Sequence, residues 1–306
     1  MSENQNDMLE VVDNQSGNKD PGRMAKAAAR ASLKGRWGKA AVISLQFVLT
    51  MIPFIIFYGL FIAVSVASAS DDTGDFVNRC MFGGGAGLLT FLGLFLLFYV
   101  LMLAYIYVIV PVLTYSFYRC APMFADKNMP LSAKEFWKGF KFFGRGLGLF
   151  WWNALWLFLW ELAGIGIAVV IGIVIGLATN ASVVGLFIPV IVFGFVIWKS
   201  YSYSMAFFVA VDYPNIPVTQ TLNASKVVTE DSKFYLFCFD LSFIGWYLLC
   251  ILSLGIGMLW LAPYYVTSKY NLFRTMVPSS ITNFERKFPE VAQLNAPSEN
   301  FSKEQE

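Results

Sequence analysis

Apolar residues in this chain gather into runs long enough to cross a bilayer, and the polar stretches between them recur in a regular order. The runs fall at about 40–66, 83–118, 147–179, 182–205, 234–252 and 256–273. Each is close to or above the roughly 20 residues a helix needs to span a hydrocarbon core about 30 Å thick. The last two are joined through Ser253-Leu254-Gly255-Ile256-Gly257, which has room only for a tight turn. The pattern predicts an all-α polytopic membrane protein with six transmembrane helices arranged as three hairpins.

A short basic helix precedes each hairpin. In residues 23–39, Arg23, Lys26, Arg30 and Lys34 recur every three or four positions and form one helical stripe. Such a helix lies on the membrane surface or serves only to orient the first apolar run. In residues 119–145, Ser132 and Glu135 make a capping-box pattern, Lys134, Lys138, Lys141 and Arg145 form a membrane-surface basic stripe, and Phe136, Phe140 and Phe143 form an apolar one. Residues 219–233 carry a weaker version. The domain plan is a disordered tail at 1–22, a membrane domain at 23–276 and a polar tail at 277–306. The first apolar run begins near Ala40 and outlasts a signal peptide, so no cleavable leader is expected. Pro53 is expected to kink that run, and Gly83, Gly84, Gly85 and Gly87 open the second, where small residues permit close helix approach. Gly172 and Gly176 repeat this spacing in the third.

Composition agrees with lipid as the solvent: 57% of residues are hydrophobic, 14% are charged, and there are 30 Phe and 9 Trp. The net charge of +2 carries no excess for nucleic acid, so the location of the charges matters more than their sum. With the odd-numbered loops outside, every Lys and Arg except Arg79 falls on one side. By the positive-inside rule that side is cytoplasmic and holds both termini. The outer loop at 67–80 is acidic, with Asp71, Asp72 and Asp75. Histidine is absent, which removes histidine zinc sites, Ser-His-Asp triads and haem ligation by His. Cys80, Cys120, Cys238 and Cys250 show no metal or redox spacing. They read as packing residues, with a Cys80–Cys250 bridge geometrically open. No cofactor and no metal are expected.

The second helices of the hairpins align on Ser116, Ser202 and Ser268. Thr114-Tyr115-Ser116-Phe117-Tyr118 then lies over Ser200-Tyr201-Ser202-Tyr203-Ser204 and Val266-Thr267-Ser268-Lys269-Tyr270, while Asp126 and Asp212 follow the first two tyrosines by the same interval. Three copies of one unit explain this, as does the ordinary enrichment of Tyr at membrane interfaces.

Few residues suggest chemistry. Glu161 lies in the third apolar run about 24 Å along the helix from Arg145. An ionised carboxylate at bilayer depth costs about 2.5 to 3.5 kcal/mol, so Glu161 is either a proton or cation site between hairpins or a hydrogen-bonded neutral carboxyl. Asp240, the second candidate intramembrane polar residue, is about 10 Å along the helix from Lys233 and within reach of interfacial water or a snorkelling lysine. Asp126 and Asp212 read as cytoplasmic turn or cap residues. Trp151, Trp152, Trp156 and Trp160 belong to an aromatic belt or to packing.

Leu33-Lys34-Gly35-Arg36-Trp37, the segment from Tyr203-Ser204-Met205 to Asp212-Tyr213-Pro214, Phe239-Asp240-Leu241-Ser242-Phe243-Ile244-Gly245-Trp246, Leu254-Gly255-Ile256-Gly257-Met258-Leu259-Trp260 and Pro263-Tyr264 together resemble a bacterial membrane family catalogued as domain of unknown function 975. The likeness runs from Ala25 to Met276. It implies a multi-pass protein of the cytoplasmic membrane of a Firmicute-type bacterium, and it brings no catalytic residues. The function expected is a non-enzymatic accessory, immunity-like or envelope-stress component, working with the lipid bilayer and with another membrane protein or a further copy of itself. The alternative is a transporter or channel for a small molecule, lipid or ion using Glu161.

Overall fold

The computed structural model describes residues 20–68, 85–178 and 184–287. Among these residues the chain is helical and contains no strand. Helix α1 (Pro21–Leu33) starts where the Asp20 carboxylate accepts from the Gly22 amide at 3.1 Å. Pro21 occupies the first turn, where its missing N–H leaves no bond unmade. The helix stops before Gly35, whose φ of +81° favours a residue without Cβ.

The first apolar run is two helices, α2 (Trp37–Leu49) and α3 (Ile52–Ser68). The break falls at Thr50–Met51, so Pro53 sits in the first turn of a new helix instead of kinking a continuous one. The Thr50 carbonyl freed there accepts from Tyr105 Oη at 2.8 Å. Helix α4 (Gly85–Ala104) passes through a π turn at Tyr105–Ile109 into α5 (Val110–Arg119). Pro111 cannot donate to the preceding turn, and a π turn is one way a helix absorbs a lost bond.

Then come α6 (Ala121–Ala125), α7 (Ala133–Lys138), a 3₁₀ turn at Gly139–Phe142, and α8 (Phe143–Ala178). With 36 residues, α8 is about 54 Å long and exceeds the thickness of a hydrocarbon core. It pairs with α9 (Val184–Tyr203), where Gly164 lets Val192 and Phe195 come close. The chain continues through α10 (Ala206–Asp212), α11 (Val218–Val228), α12 (Lys233–Leu241), α13 (Ile244–Leu252) and α14 (Met258–Lys287). The turn at 253–257 is tight, as expected, and needs positive φ at Leu254 and Gly255.

Among the described residues, four stretches are long and apolar enough to cross a membrane: Phe95–Ala125, Ala133–Ile173, Val192–Asp212 and Lys233–Leu252. Large apolar side chains such as Leu101, Phe158, Ile171 and Leu252 point outward from them. A contiguous apolar exterior of this kind is a surface for lipid. The buried core lies elsewhere, around Leu33, Ile43, Phe124, Phe136, Phe208 and Phe273, where the short helices meet the ends of the long ones.

That core repeats. Ser116, Ser202 and Ser268 are all buried. At Ser116, α5 packs on α7 and the 3₁₀ turn, with Gly139 against the serine. At Ser202, α9 packs on α11, and Ser225 Oγ donates to the Ser202 carbonyl at 2.9 Å. Near Ser268, α14 packs on α1, and Asn271 Nδ2 donates to the Ala25 carbonyl at 3.4 Å. Each of these three serine positions therefore marks where one of the short helices is seated, and α1, the first described helix, closes the set on α14, the last described one.

Two expectations change here. Helix α1 does more than orient the first apolar run: it buries Ala25, Ala28, Ala29 and Leu33 while Arg23, Arg30 and Lys34 stay exposed. An alanine face admits close helix approach, so the basic stripe is the outer half of a packed helix. The polar tail expected from 277 instead begins as helix, since α14 runs to Lys287. Residues 1–19, the acidic loop with Cys80, Gly83 and Gly84, and residues 288–306 lie outside the described residues.

Candidate functional site

Two arginines clamp matching turns. Arg36, just before α2, donates from Nη1 to the Asp126 carbonyl at 2.7 Å and from Nη2 to the carbonyls of Met123 and Met129 at 2.8 and 3.0 Å. Arg145, in the first turn of α8, donates from Nη1 to the Pro214 carbonyl at 2.7 Å and from Nη2 to those of Ala210 and Tyr213 at 3.2 Å each. The acceptors are the last carbonyls of α6 and α10 and the turns after them, which have no partners within their own helices. Arg145 is therefore not part of the surface stripe with Lys134, Lys138 and Lys141. The 3₁₀ turn after Lys138 changes the helical register and turns Arg145 inward. Lysine offers a point charge in place of a planar fork. Arg145→Lys is expected to lose two of the three bonds and about 2 kcal/mol of stability, read as a lowered unfolding temperature in detergent, while Lys141→Gln leaves that temperature unchanged.

The predicted turn residues separate. The Asp126 carboxylate accepts from the Asn128 amide at 2.8 Å and shapes its own turn. Asp212 caps nothing: it is buried, and both of its oxygens accept from Tyr270 Oη, at 2.9 and 3.1 Å. It ties α10 to α14, so the second and third repeats are joined through a side chain that sequence spacing assigns to a turn.

Asp240 meets Lys269. The ammonium lies 2.9 Å from Asp240 Oδ2 and 3.2 Å from Oδ1, and also donates to Tyr265 Oη at 2.7 Å. Tyr265 in turn donates to Asp240 at 3.0 Å. Lys269 is buried, which makes this an interior network between α12 and α14 and not a snorkelling contact. Nearby, Lys26 of α1 donates to Ser242 Oγ and lies over the rings of Phe239 and Phe243, at 5.1 and 4.6 Å from their centroids. Burial, reinforced by Arg30 and Arg23, lowers the Lys26 pKa, against the pull of Asp20.

On α7, Ser132 caps the first turn through the Lys134 amide at 3.3 Å, but Glu135 pairs with Lys138 at 2.6 Å instead of reaching back to complete the box. Lys134 and Lys141 are exposed. Glu161 is also exposed and stands apart from Asp240. It follows Trp160, whose indole donates to Tyr203 Oη at 2.9 Å and carries Lys199 over its face at 3.8 Å. Helix α8 itself is packed against α5, α9 and α11. Cys120, Cys238 and Cys250 are free thiols, and Cys80, the partner open to Cys250 by sequence, lies outside the described residues.

Two cavities accompany these contacts. One, of about 440 Å³, is apolar and lined by Trp37, Trp246, Trp260 and Tyr264, with Arg30 at its edge. The other, of about 650 Å³, is polar and lies between α8, α9, α11 and α12. Among the described residues no cluster of metal ligands occurs.

Sequence reasoning passes over Arg36, Arg145, Lys269 and Tyr270 as bonding residues. A signal for the first two is present, since Gly35-Arg36 and Gly144-Arg145 are the same dipeptide at the entrance to two apolar runs. An apolar exterior on long helices and interior charges that bond helix to helix define an all-helical, membrane-embedded protein. The family model described as protein of unknown function (DUF975) matches residues 23–279, and the chain belongs to that family. No curated protein and no solved structure matches the chain.

Proposed function

We propose that the protein is a non-enzymatic accessory component of a bacterial cytoplasmic membrane, built of six membrane helices in three hairpins with both termini on the cytoplasmic side. The helices would be α2–α3, α4–α5, α8, α9, α12–α13 and the first half of α14. The asymmetry of Lys and Arg supports the orientation, and the repeated seating of α7, α11 and α1 supports three units.

The observation that carries the accessory reading is the use made of interior charge. Arg36, Arg145, Asp212, Asp240 and Lys269 each close a bond between helices, which builds a rigid scaffold. The outer surface is left to interact with lipid and with membrane proteins. The transport alternative rests on Glu161, and its exposed position on α8 gives it no enclosed path. Glu161→Gln is expected to fold and to leave cellular function intact. Replacing Lys134, Lys138 and Lys141 by Ala is expected to impair function without lowering the unfolding temperature. Loss of function in Glu161→Gln together with full function in the triple variant would reverse the assignment.

A further inference from the structure

We infer that the polar cavity between α8, α9, α11 and α12 is a binding site for the phosphate of an anionic membrane phospholipid. Lys199 of α9, Lys226 of α11 and Lys233 of α12 converge on it, and none of the three is ion-paired to a described residue. The one acidic residue in the lining, Glu230, is exposed. Three ammonium groups around one space with a single carboxylate leave an excess of positive charge, which an anion relieves.

The rest of the wall suits a phosphate. Asn223 Oδ1 accepts from Lys226 at 3.3 Å, which leaves the Asn223 amide hydrogens for an acceptor. The Tyr203 hydroxyl already accepts from Trp160, so its own proton is available as well. Aromatic faces hold the lysines in place: Lys199 over Trp160 at 3.8 Å, Lys226 over Trp156 and Tyr203 at 5.5 and 5.3 Å, and Lys233 over Trp198 at 5.5 Å. A cation on a ring face keeps its charge directed while its stem packs. The Lys226 pKa is lowered by desolvation and then by the charge of Lys199, as two crowded cations require.

A lipid is favoured over a soluble phosphate because of what borders the cavity. Trp198 and Phe234, next in sequence to Lys199 and Lys233, are exposed large apolar residues on the flanking membrane helices. Acyl chains would lie along that surface while the headgroup enters between the lysines. Basic pockets between membrane helices at an interface take anionic headgroups for this reason.

The test uses the full chain in mild detergent and follows its unfolding temperature as phosphatidylglycerol, cardiolipin, phosphatidylcholine or inorganic phosphate is added. Phosphatidylglycerol or cardiolipin is expected to raise the temperature saturably, and phosphatidylcholine is not. The Lys199→Gln/Lys226→Gln/Lys233→Gln variant is expected to lose roughly a hundredfold in apparent affinity, about fivefold per lysine. Its unfolding temperature without lipid should match or exceed that of the parent, because a like-charge cluster has been removed. Lys134→Gln/Lys138→Gln/Lys141→Gln is expected to respond to lipid as the parent does. An equal response to phosphatidylcholine, or an undiminished response in the first triple variant, overturns the proposal. A lysine-dependent response to inorganic phosphate equal to that of the lipids also overturns it, by assigning the cavity to a soluble phosphate compound.

Discussion

Lys269→Met is expected to destabilise the protein by about 3 kcal/mol or more, because it leaves the largely buried Asp240 carboxylate without its cation. Removing one member of a buried ion pair costs more than removing both. Asp240→Asn added to Lys269→Met should therefore recover most of the loss, and the two changes should be strongly non-additive. Thermal unfolding of the four proteins in one detergent gives the coupling directly. A Lys269→Met protein as stable as the parent would mean that α12 and α14 are held together by apolar packing alone. The similar volume of Met keeps the experiment about charge and not about a cavity.

Gly139→Ala is the second large effect. A Cβ built on Gly139 would lie 1.9 Å from Ser116 Oγ, 2.4 Å from its Cβ and 2.8 Å from its Cα. A side-chain rotation can relieve the first contact but not the last, which is to backbone. The 3₁₀ turn and α5 must move apart, at the cost of about 1 to 3 kcal/mol that overpacking brings. Ser116→Gly should restore part of this stability, since it removes two of the three contacts. Gly144→Ala, where nothing lies within 4 Å of the added carbon, is expected to be neutral or slightly stabilising in a helix. Equal unfolding temperatures for Gly139→Ala and Gly144→Ala would contradict the close seating of α5 on the turn.

The sequence reveals most about features that obey a local rule. The apolar runs, the tight turn at 253–257, the Ser132 cap and the serines that mark three helix seats all answer to periodicity, turn chemistry or internal alignment. Partners across the fold obey no such rule. Asp212 sits beside Pro214 and looks like a turn residue, yet its acceptors face Tyr270, 58 positions away. Exposure is hidden for a similar reason. Glu161 lies far along its helix from Arg145, yet its side chain is exposed, and no count of residues reveals which turns of α8 are covered by α5, α9 and α11. The alanines of α1 are visible in the sequence, but the face of a helix that is buried depends on what comes to meet it, here the middle of α14.

Native mass spectrometry of the protein purified in mild detergent from its own host tests the functional account most directly. A stoichiometric membrane-protein partner, lost when Lys134, Lys138 and Lys141 are replaced and kept in Glu161→Gln, is the result the accessory reading predicts. A protein without a partner that retains a small molecule or ion, and releases it in Glu161→Gln, would contradict that reading and establish transport in its place.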